Sequence, residues 1–280
     1  MNIYARLLTV LFLFVFSSGV FAEGHLVIIG GGEKLAEIKK KIVELGGGDK
    51  ARVVIFPNAS SYPFESGDRH RQQFELFGPA SVDVIYVTGD TLNRKDIVDL
   101  VKNATVVFFG GGDQVKLTKE LNGTKAYEAV WNVYKRGGVV SGTSAGAAVM
   151  SKVMITGDEL INKDSTRIFW QILKGNVETK EGFGFLPEII IDQHFVVRKR
   201  HNRLISLMLE SKVKTGIAID ESTALIVAPG RKYEVLGESL ILVYDARNVK
   251  NISTDKNGNL SGQGMKLDIY KSGDKFRLSK

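Results

Sequence analysis

The chain has 280 residues, a formal net charge of +7 and no cysteine. That length suffices for a large α/β core, and the missing thiols exclude disulfide staples and cysteine nucleophiles. The basic pI of 9.3 permits an acidic partner without identifying one.

Residues 1–22 read as a secretory signal peptide. Arg6 is the only charged side chain there, an apolar run covers Leu7 to Phe16, and Val20-Phe21-Ala22 sets small residues before a cut at Glu23. The apolar part is too short for a comfortable membrane span. The expectation is therefore a secreted protein, extracellular or periplasmic, with no stable membrane insertion after cleavage. Residues 23–280 are expected to form a single α/β domain.

His25–Ile29 reads as a buried parallel strand that ends in Gly30-Gly31-Gly32. Leu35, Ile38, Ile42 and Leu45 recur at helical spacing, and Gly46-Gly47-Gly48 stops that helix. Val53–Phe56 is the next strand. A helix around Gly67–Phe77 leads to a strand at Val84–Val87, and a short helix from Arg94 leads to a strand at Thr105–Phe109. That strand closes in Gly110-Gly111-Gly112-Asp113-Gln114. Helices over 115–121 and 124–136 bring the chain to Val139-Val140-Ser141. Strands alternating with helices predict a doubly wound, mostly parallel sheet flanked by helices. Functional residues then belong beyond the carboxyl ends of the strands.

Neither glycine triplet has the spacing of a dinucleotide loop or a P-loop. Gly110–Gly112 reads as backbone that approaches a ligand and offers N–H donors. For Gly30–Gly32 a plain turn fits equally well.

Gly142-Thr143-Ser144-Ala145-Gly146 follows an apolar strand and precedes a run that suits a helix. This is the strand–turn–helix pattern of a nucleophile elbow. A Gly-rich βα turn is the bland alternative, and the flanking elements favour a nucleophile at Ser144. An oxyanion beside Ser144 would meet the Ala145 N–H, with Gly112 as a second donor.

Residues 151–182 have weak periodicity and read as a connection, with a helix near Ile168–Leu173 that serves as a lid. A strand over Glu188–Ile191 then runs into Asp192-Gln193-His194. A serine hydroxyl needs an adjacent base, and the chain has four histidines. His25 opens a strand at its amino end. His70 lies among arginines in a polar helix and is expected to be solvated. His201 also sits among cations, which disfavour its charged form. His194 alone lies at the right edge. Gly216–Ile219 is a further strand, ending in Asp220 and Glu221, and either acid can orient the imidazole. Asp192 points the same way as His194 and has little room to reach its far nitrogen. The order Ser, His, acid differs from that of α/β-hydrolases.

Arg198, Arg200 and Arg203 crowd the start of a helical segment, where the dipole disfavours cations. Such a cluster suits an anionic ligand. Guanidinium groups grip carboxylates, whereas nucleic acid would call for interleaved aromatics. Tyr233–Leu236 and Leu240–Tyr244 read as added antiparallel strands, and Asn257-Gly258 as a hairpin turn.

Four motifs taken together resemble a known family: Gly-Gly-Gly-Asp-Gln, Gly-Thr-Ser-Ala-Gly-Ala, Asp-Gln-His-Phe followed by Arg-x-Arg-x-x-Arg-Leu, and Ile-Asp-Glu-x-Thr-Ala. They resemble the serine peptidases of the cyanophycinase and dipeptidase E family over most of residues 24–230. The resemblance implies a flavodoxin-like fold of the class I glutamine amidotransferase type. It implies Ser144 as nucleophile, His194 as base and Glu221 as acid. It places Gln114, Asp192, Gln193, Arg198, Arg200 and Arg203 at substrate-binding positions. It implies cleavage of cyanophycin, a poly-aspartate chain bearing arginine on its side-chain carboxyls, into β-aspartyl-arginine dipeptides. No metal, cofactor or nucleic acid is implied, and a homodimer is compatible with it. An isoaspartyl or aspartyl dipeptidase and a non-catalytic binder of acidic polymers are the alternatives. A glutamine amidotransferase is disfavoured, since those of this fold use a cysteine.

Overall fold

A computed structural model describes residues 23–33, 35–163 and 167–278. The expected signal peptide lies outside the described residues. The first half builds a layered α/β unit from β1 (His25–Ile29), α1 (Ala36–Leu45), β2 (Arg52–Phe56), α2 (Pro63–Glu75), β3 (Ser81–Val84), α3 (Lys95–Asn103), β4 (Val106–Phe109), α4 (Gln114–Leu121), α5 (Lys125–Lys135) and β5 (Val139–Thr143). α6 (Ala145–Ala148) starts directly after Ser144.

The strands bury both faces, and successive residues alternate between two cores. Leu26, Ile28, Val54, Phe56, Val107, Phe109 and Val140 face one side, with Val101, Leu117, Leu121 and Val130 from the helices α3 to α5. Val27, Ile29, Val53, Ile55, Val106, Phe108 and Val139 face the other, with Ile38 and Ile42 of α1 and Phe74 of α2. Local signals agree with these elements. Asp113 caps α4 by accepting from Val115 and Lys116 N–H, and Thr124 caps α5 by accepting from Tyr127 N–H.

The second half adds β6 (Val153–Glu159), β7 (Val177–Glu181), β8 (Ile190–Gln193), α7 (His201–Glu210), β9 (Thr215–Ile219), β10 (Thr223–Ala228), β11 (Lys232–Gly237), β12 (Leu240–Asp245), β13 (Lys250–Thr254), β14 (Leu260–Gln263), β15 (Lys266–Lys271) and β16 (Lys275–Phe276). The large sheet has the order β16-β11-β10-β1-β5-β4-β2-β3. Its β1, β5, β4, β2 and β3 are parallel, and β10, β11 and β16 extend it antiparallel. β15, β12, β9 and β8 form a separate four-stranded sheet. The strands that lead to His194 and Glu221 thus belong to this second sheet, and their carboxyl ends meet that of β1.

Two local expectations are corrected. The third strand is Ser81–Val84, in register with Arg52–Ile55, and not Val84–Val87. Tyr86 leaves the sheet to donate its hydroxyl to Asp68 and to stack on Phe64. No helix forms at Ile168–Leu173. That backbone pairs sideways with the β13–β14 turn, where Lys174 N–H donates to Gly258 and Leu260 N–H to Ile172. β10, absent from the sequence reading, lies against β1.

Candidate active site

β5 ends at Thr143, and Ser144 takes φ 54° and ψ −109° before α6 begins. A β-branched or bulky residue rarely tolerates this region, and strain of this kind collects at functional turns. The flanking glycines are needed for space. A β-carbon on Gly142 would collide with the Gly146 backbone, and one on Gly146 with the Phe109 carbonyl. Ser144 Oγ therefore stands clear of the sheet edge.

The first glycine loop holds the other two groups in place. Ser144 N–H donates to Ile29 O (3.0 Å), His194 N–H to Gly30 O (2.8 Å) and Ser222 N–H to Gly31 O (2.7 Å). Three consecutive carbonyls at the end of β1 thus fix the elbow, the residue after β8 and the turn after β9. The imidazole lies across Gly31, whose φ is +107°. The plain-turn reading of Gly30–Gly32 gives way to a packing one.

Ser144 Oγ is 2.7 Å from His194 Nε2, and His194 Nδ1 is 2.6 Å from Glu221 Oε1. A carboxylate accepts, so Nδ1–H donates to Glu221 and Nε2 is left to accept from the serine hydroxyl. Burial holds the His194 pKa below its ordinary value. The Glu221 hydrogen bond opposes that shift, and Arg198 and Arg200 add to it. The ring is a free base at neutral pH.

Ser144 and His194 open onto a cleft of about 580 Å³ that Ser60, Gly111, Thr143 and the α2 residues Ser66, Arg69, His70 and Gln73 also line. Gly111 stands beside Ser144, where a β-carbon would lie 3.4 Å from Ser144 Cβ. Gly112 backs onto Ala59, and its N–H belongs to the peptide that joins it to Gly111. Ala145 follows Ser144 and opens α6, so its N–H lacks an intrahelical acceptor.

The six residues expected to bind substrate divide into two groups. Gln114 is buried and donates from Nε2 to the carbonyls of Ile155 (2.8 Å) and Thr156, which ties α4 to β6. Arg203 is buried and grips Asp192 with Nε (2.8 Å) and Nη2. Its guanidinium also lies over the Phe169 ring. Arg200 donates from Nη1 to the Gln193 carbonyl (2.6 Å) and to Gln193 Oε1. Burial, then repulsion from Arg203, lowers its pKa to about 10. Arg198 is half exposed, with Nε 4.0 Å from Glu221 Oε1. The three arginines thus differ in their surroundings: Arg203 is buried on Asp192, Arg200 is engaged by Gln193, and Arg198 is half exposed. Arg203 sits on the buried stripe of α7 with Leu204, Leu207 and Met208, and its charge is met by Asp192 of β8. Among the described residues no group of three or more His, Asp or Glu side chains has metal-binding geometry.

The profile of Peptidase family S51 matches residues 26–235. The chain belongs to this family. It is accordingly a serine peptidase. A cyanophycinase from Geminocystis herdmanii (strain PCC 6308) is 30% identical over 264 residues, spanning 91% of this chain and 94% of that protein. A cyanophycinase from Synechococcus elongatus is 30% identical over 265 residues, with coverage of 91% and 80%. A solved peptidase from an acI-B1 Actinobacterium shares the fold at a TM-score of 0.67 and 23% identity, covering 92% of this chain and 98% of its own.

In this S51 peptidase the two acids after β9 part company. Glu221 faces His194. Asp220 turns back, accepting Val196 and Val197 N–H (3.0 and 3.1 Å) and the Ser239 hydroxyl (2.7 Å). Asp220 thus shapes the turn that presents His194, whose own φ is +51°. No spacing in the sequence separates these two carboxylates. The other histidines lie off the site's chemistry, but one for a different reason than expected. His201 Nδ1 meets the Tyr244 hydroxyl (2.7 Å). His70 is buried and not solvated, because α2 turns it inward beside Lys39 of α1.

Proposed function

We propose that this chain is a secreted serine exopeptidase that hydrolyses cyanophycin to β-aspartyl-arginine dipeptides. The observation that carries the reading is the hydrogen-bonded line from Ser144 through His194 to Glu221, at 2.7 and 2.6 Å. Ser144 Oγ attacks the scissile carbonyl and its proton passes to His194 Nε2. Glu221 stabilises the imidazolium that results. The N–H groups of Ala145 and Gly112 receive the oxyanion. Collapse breaks the C–N bond, and the leaving amine takes the proton from Nε2. Water then attacks the Ser144 ester with the same imidazole as base, the bond to Oγ breaks to release the acid, and Nε2 returns the proton to Ser144. The names of the relatives support the choice of polymer. The leader-like composition of residues 1–22 supports export, and amino-terminal sequencing of protein recovered outside the cytoplasm would start at Glu23.

The test is incubation of the chain from Glu23 with cyanophycin and mass analysis of the soluble products. Release of β-aspartyl-arginine by the protein, and none by Ser144→Ala, is expected. Intact polymer would remove the substrate assignment.

One observation favours a second reading, an isoaspartyl or aspartyl dipeptidase. Arg203 is sealed against Asp192 and Arg200 is engaged by Gln193, which leaves Arg198 as the exposed arginine of the three. Turnover of β-aspartyl dipeptides with no attack on the polymer would establish it.

A further inference from the structure

The cleft has a second wall that the peptidase chemistry leaves unused. Ser66, Arg69, His70 and Gln73 recur at i, i+3, i+4 and i+7, so they share one face of α2. That face is polar, yet Ser66 and His70 are buried, and it lines the cleft that holds Ser144. Behind it lies Lys39, whose side chain is fully buried. Lys39 Nζ is 2.9 Å from His70 Nδ1 and donates to Gln73 Oε1. Its ammonium rests against the rings of Phe74 and Phe108, 4.8 and 5.3 Å from their centroids.

Lys39 is a buried amine whose hydrogen-bond partners, His70 and Gln73, carry no negative charge. Among the described residues no carboxylate lies within ion-pair distance of it. Uncompensated charge is costly in an interior. Burial, with repulsion from Arg69, lowers the Lys39 pKa to about 7, and burial beside Lys39 takes His70 to about 3. His70 is therefore neutral. When Lys39 carries its proton, Nδ1 accepts from it, and the remaining N–H is carried on Nε2. The Arg69 guanidinium and the Ser66 hydroxyl stand on the same wall. Glu33 is the acidic side chain of the cleft lining, and it is exposed.

We propose that Arg69 and His70 form a carboxylate-binding subsite in the Ser144 cleft, with Lys39 as the positioning residue behind it. Lys39 fixes the His70 tautomer that donates and supplies positive charge that the ligand's anion completes. The group it takes is a free carboxylate of the peptide substrate. This subsite is separate from the arginine run after β8, since neither Arg198 nor Arg200 lines this cleft. The proposal rests on the peptidase reading above for the identity of its ligand, and not for the binding itself.

The experiment is a titration of the chain from Glu23, labelled with 15N-histidine, using N-acetyl-L-aspartate and the neutral N-acetyl-L-asparaginamide. His70 ring signals are assigned by their loss in His70→Asn. The aspartate is expected to shift the His70 ring nitrogens to saturation, and the neutral probe to leave them in place. In Arg69→Gln, an exposed change that the fold tolerates, the half-saturating concentration rises about tenfold or more, the loss of one charge-assisted hydrogen bond. In Lys39→Met the free protein already shows a mixture of His70 tautomers, which a purely structural lysine would not produce. Unmoved His70 signals, equal response to both probes, or an unchanged titration in Arg69→Gln overturns the subsite. A chain that cleaves cyanophycin without a His70 response loses the subsite alone. A chain that responds but leaves cyanophycin intact loses the substrate reading alone.

Discussion

Gly31 and the His194 imidazole occupy each other's space: a β-carbon on Gly31 would lie 2.6 Å from Nε2 and 2.7 Å from Nδ1. Both the reacting nitrogen and the one that meets Glu221 depend on that bare α-carbon. Gly31→Ala must push the ring, and it also strains a backbone at φ +107°. We expect kcat to fall about 10²-fold, the usual cost of displacing a catalytic group by an ångström. Circular dichroism should still show a folded chain. A variant with wild-type kcat would mean that the ring does not work from this position.

Glu221→Gln keeps the size of the side chain but removes the carboxylate that accepts from His194 Nδ1. The imidazole can then adopt the wrong tautomer, and its charged form loses support. A fall in kcat of about 10⁴-fold is expected by the logic of hydrolase triads. Asp220→Asn should act differently, because Asp220 holds the Val196 and Val197 amides and not the ring. Comparing the two by kcat and melting temperature separates them. Equal kcat losses with equal loss of stability would remove the distinction.

The acid limb of the pH profile reports His194. The ring must be neutral to accept the serine proton, and its pKa lies below the ordinary 6.5. Activity should thus hold as the pH drops to 6.5 and fade only below it, as the ring becomes protonated. Arg198 is one of the charges that lower this pKa. Arg198→Gln should move the midpoint of kcat/KM upward. A midpoint above 6.5 in the parent, or a downward move in the variant, contradicts the assignment.

The strand alternation of the first half and the elbow at Ser144 were legible because each has a local cause. Apolar runs of β-branched residues end in glycine turns, and small residues flank Ser144. His194 was legible by elimination among four histidines, and the pairing of Glu221 only as one of two acids. What escaped the sequence is set by tertiary contact. Gly31 looks like any turn glycine until His194 is laid across it. Arg203 looks like one member of a ligand-binding cluster until α7 turns it onto Asp192. His70 looks exposed because its neighbours Arg69 and Arg71 are charged, yet the helix period carries it inward while they stay out. Lateral pairing of residues 172–174 with the β13–β14 turn likewise has no signature within either segment.

The Asp192–Arg203 pair separates a structural from a ligand-binding arginine. Both side chains are buried, 1% and 3% exposed. Removing Asp192 leaves Arg203 unpaired in the interior, and removing Arg203 leaves Asp192 only the more distant Arg200, 3.9 Å away. Arg203→Met or Asp192→Leu alone should therefore destabilise the chain by about 3–5 kcal/mol. The double variant replaces the pair with apolar groups and should recover most of that loss, since a buried ion pair and its apolar substitute are often close in stability. Urea unfolding of the four proteins gives the coupling directly. Steady-state kinetics on the refolded double variant then decides the function. If Arg203 only braces β8 against α7, KM stays close to the parent value. A large rise in KM with stability restored would return Arg203 to the substrate and imply that the Asp192 pair opens on binding.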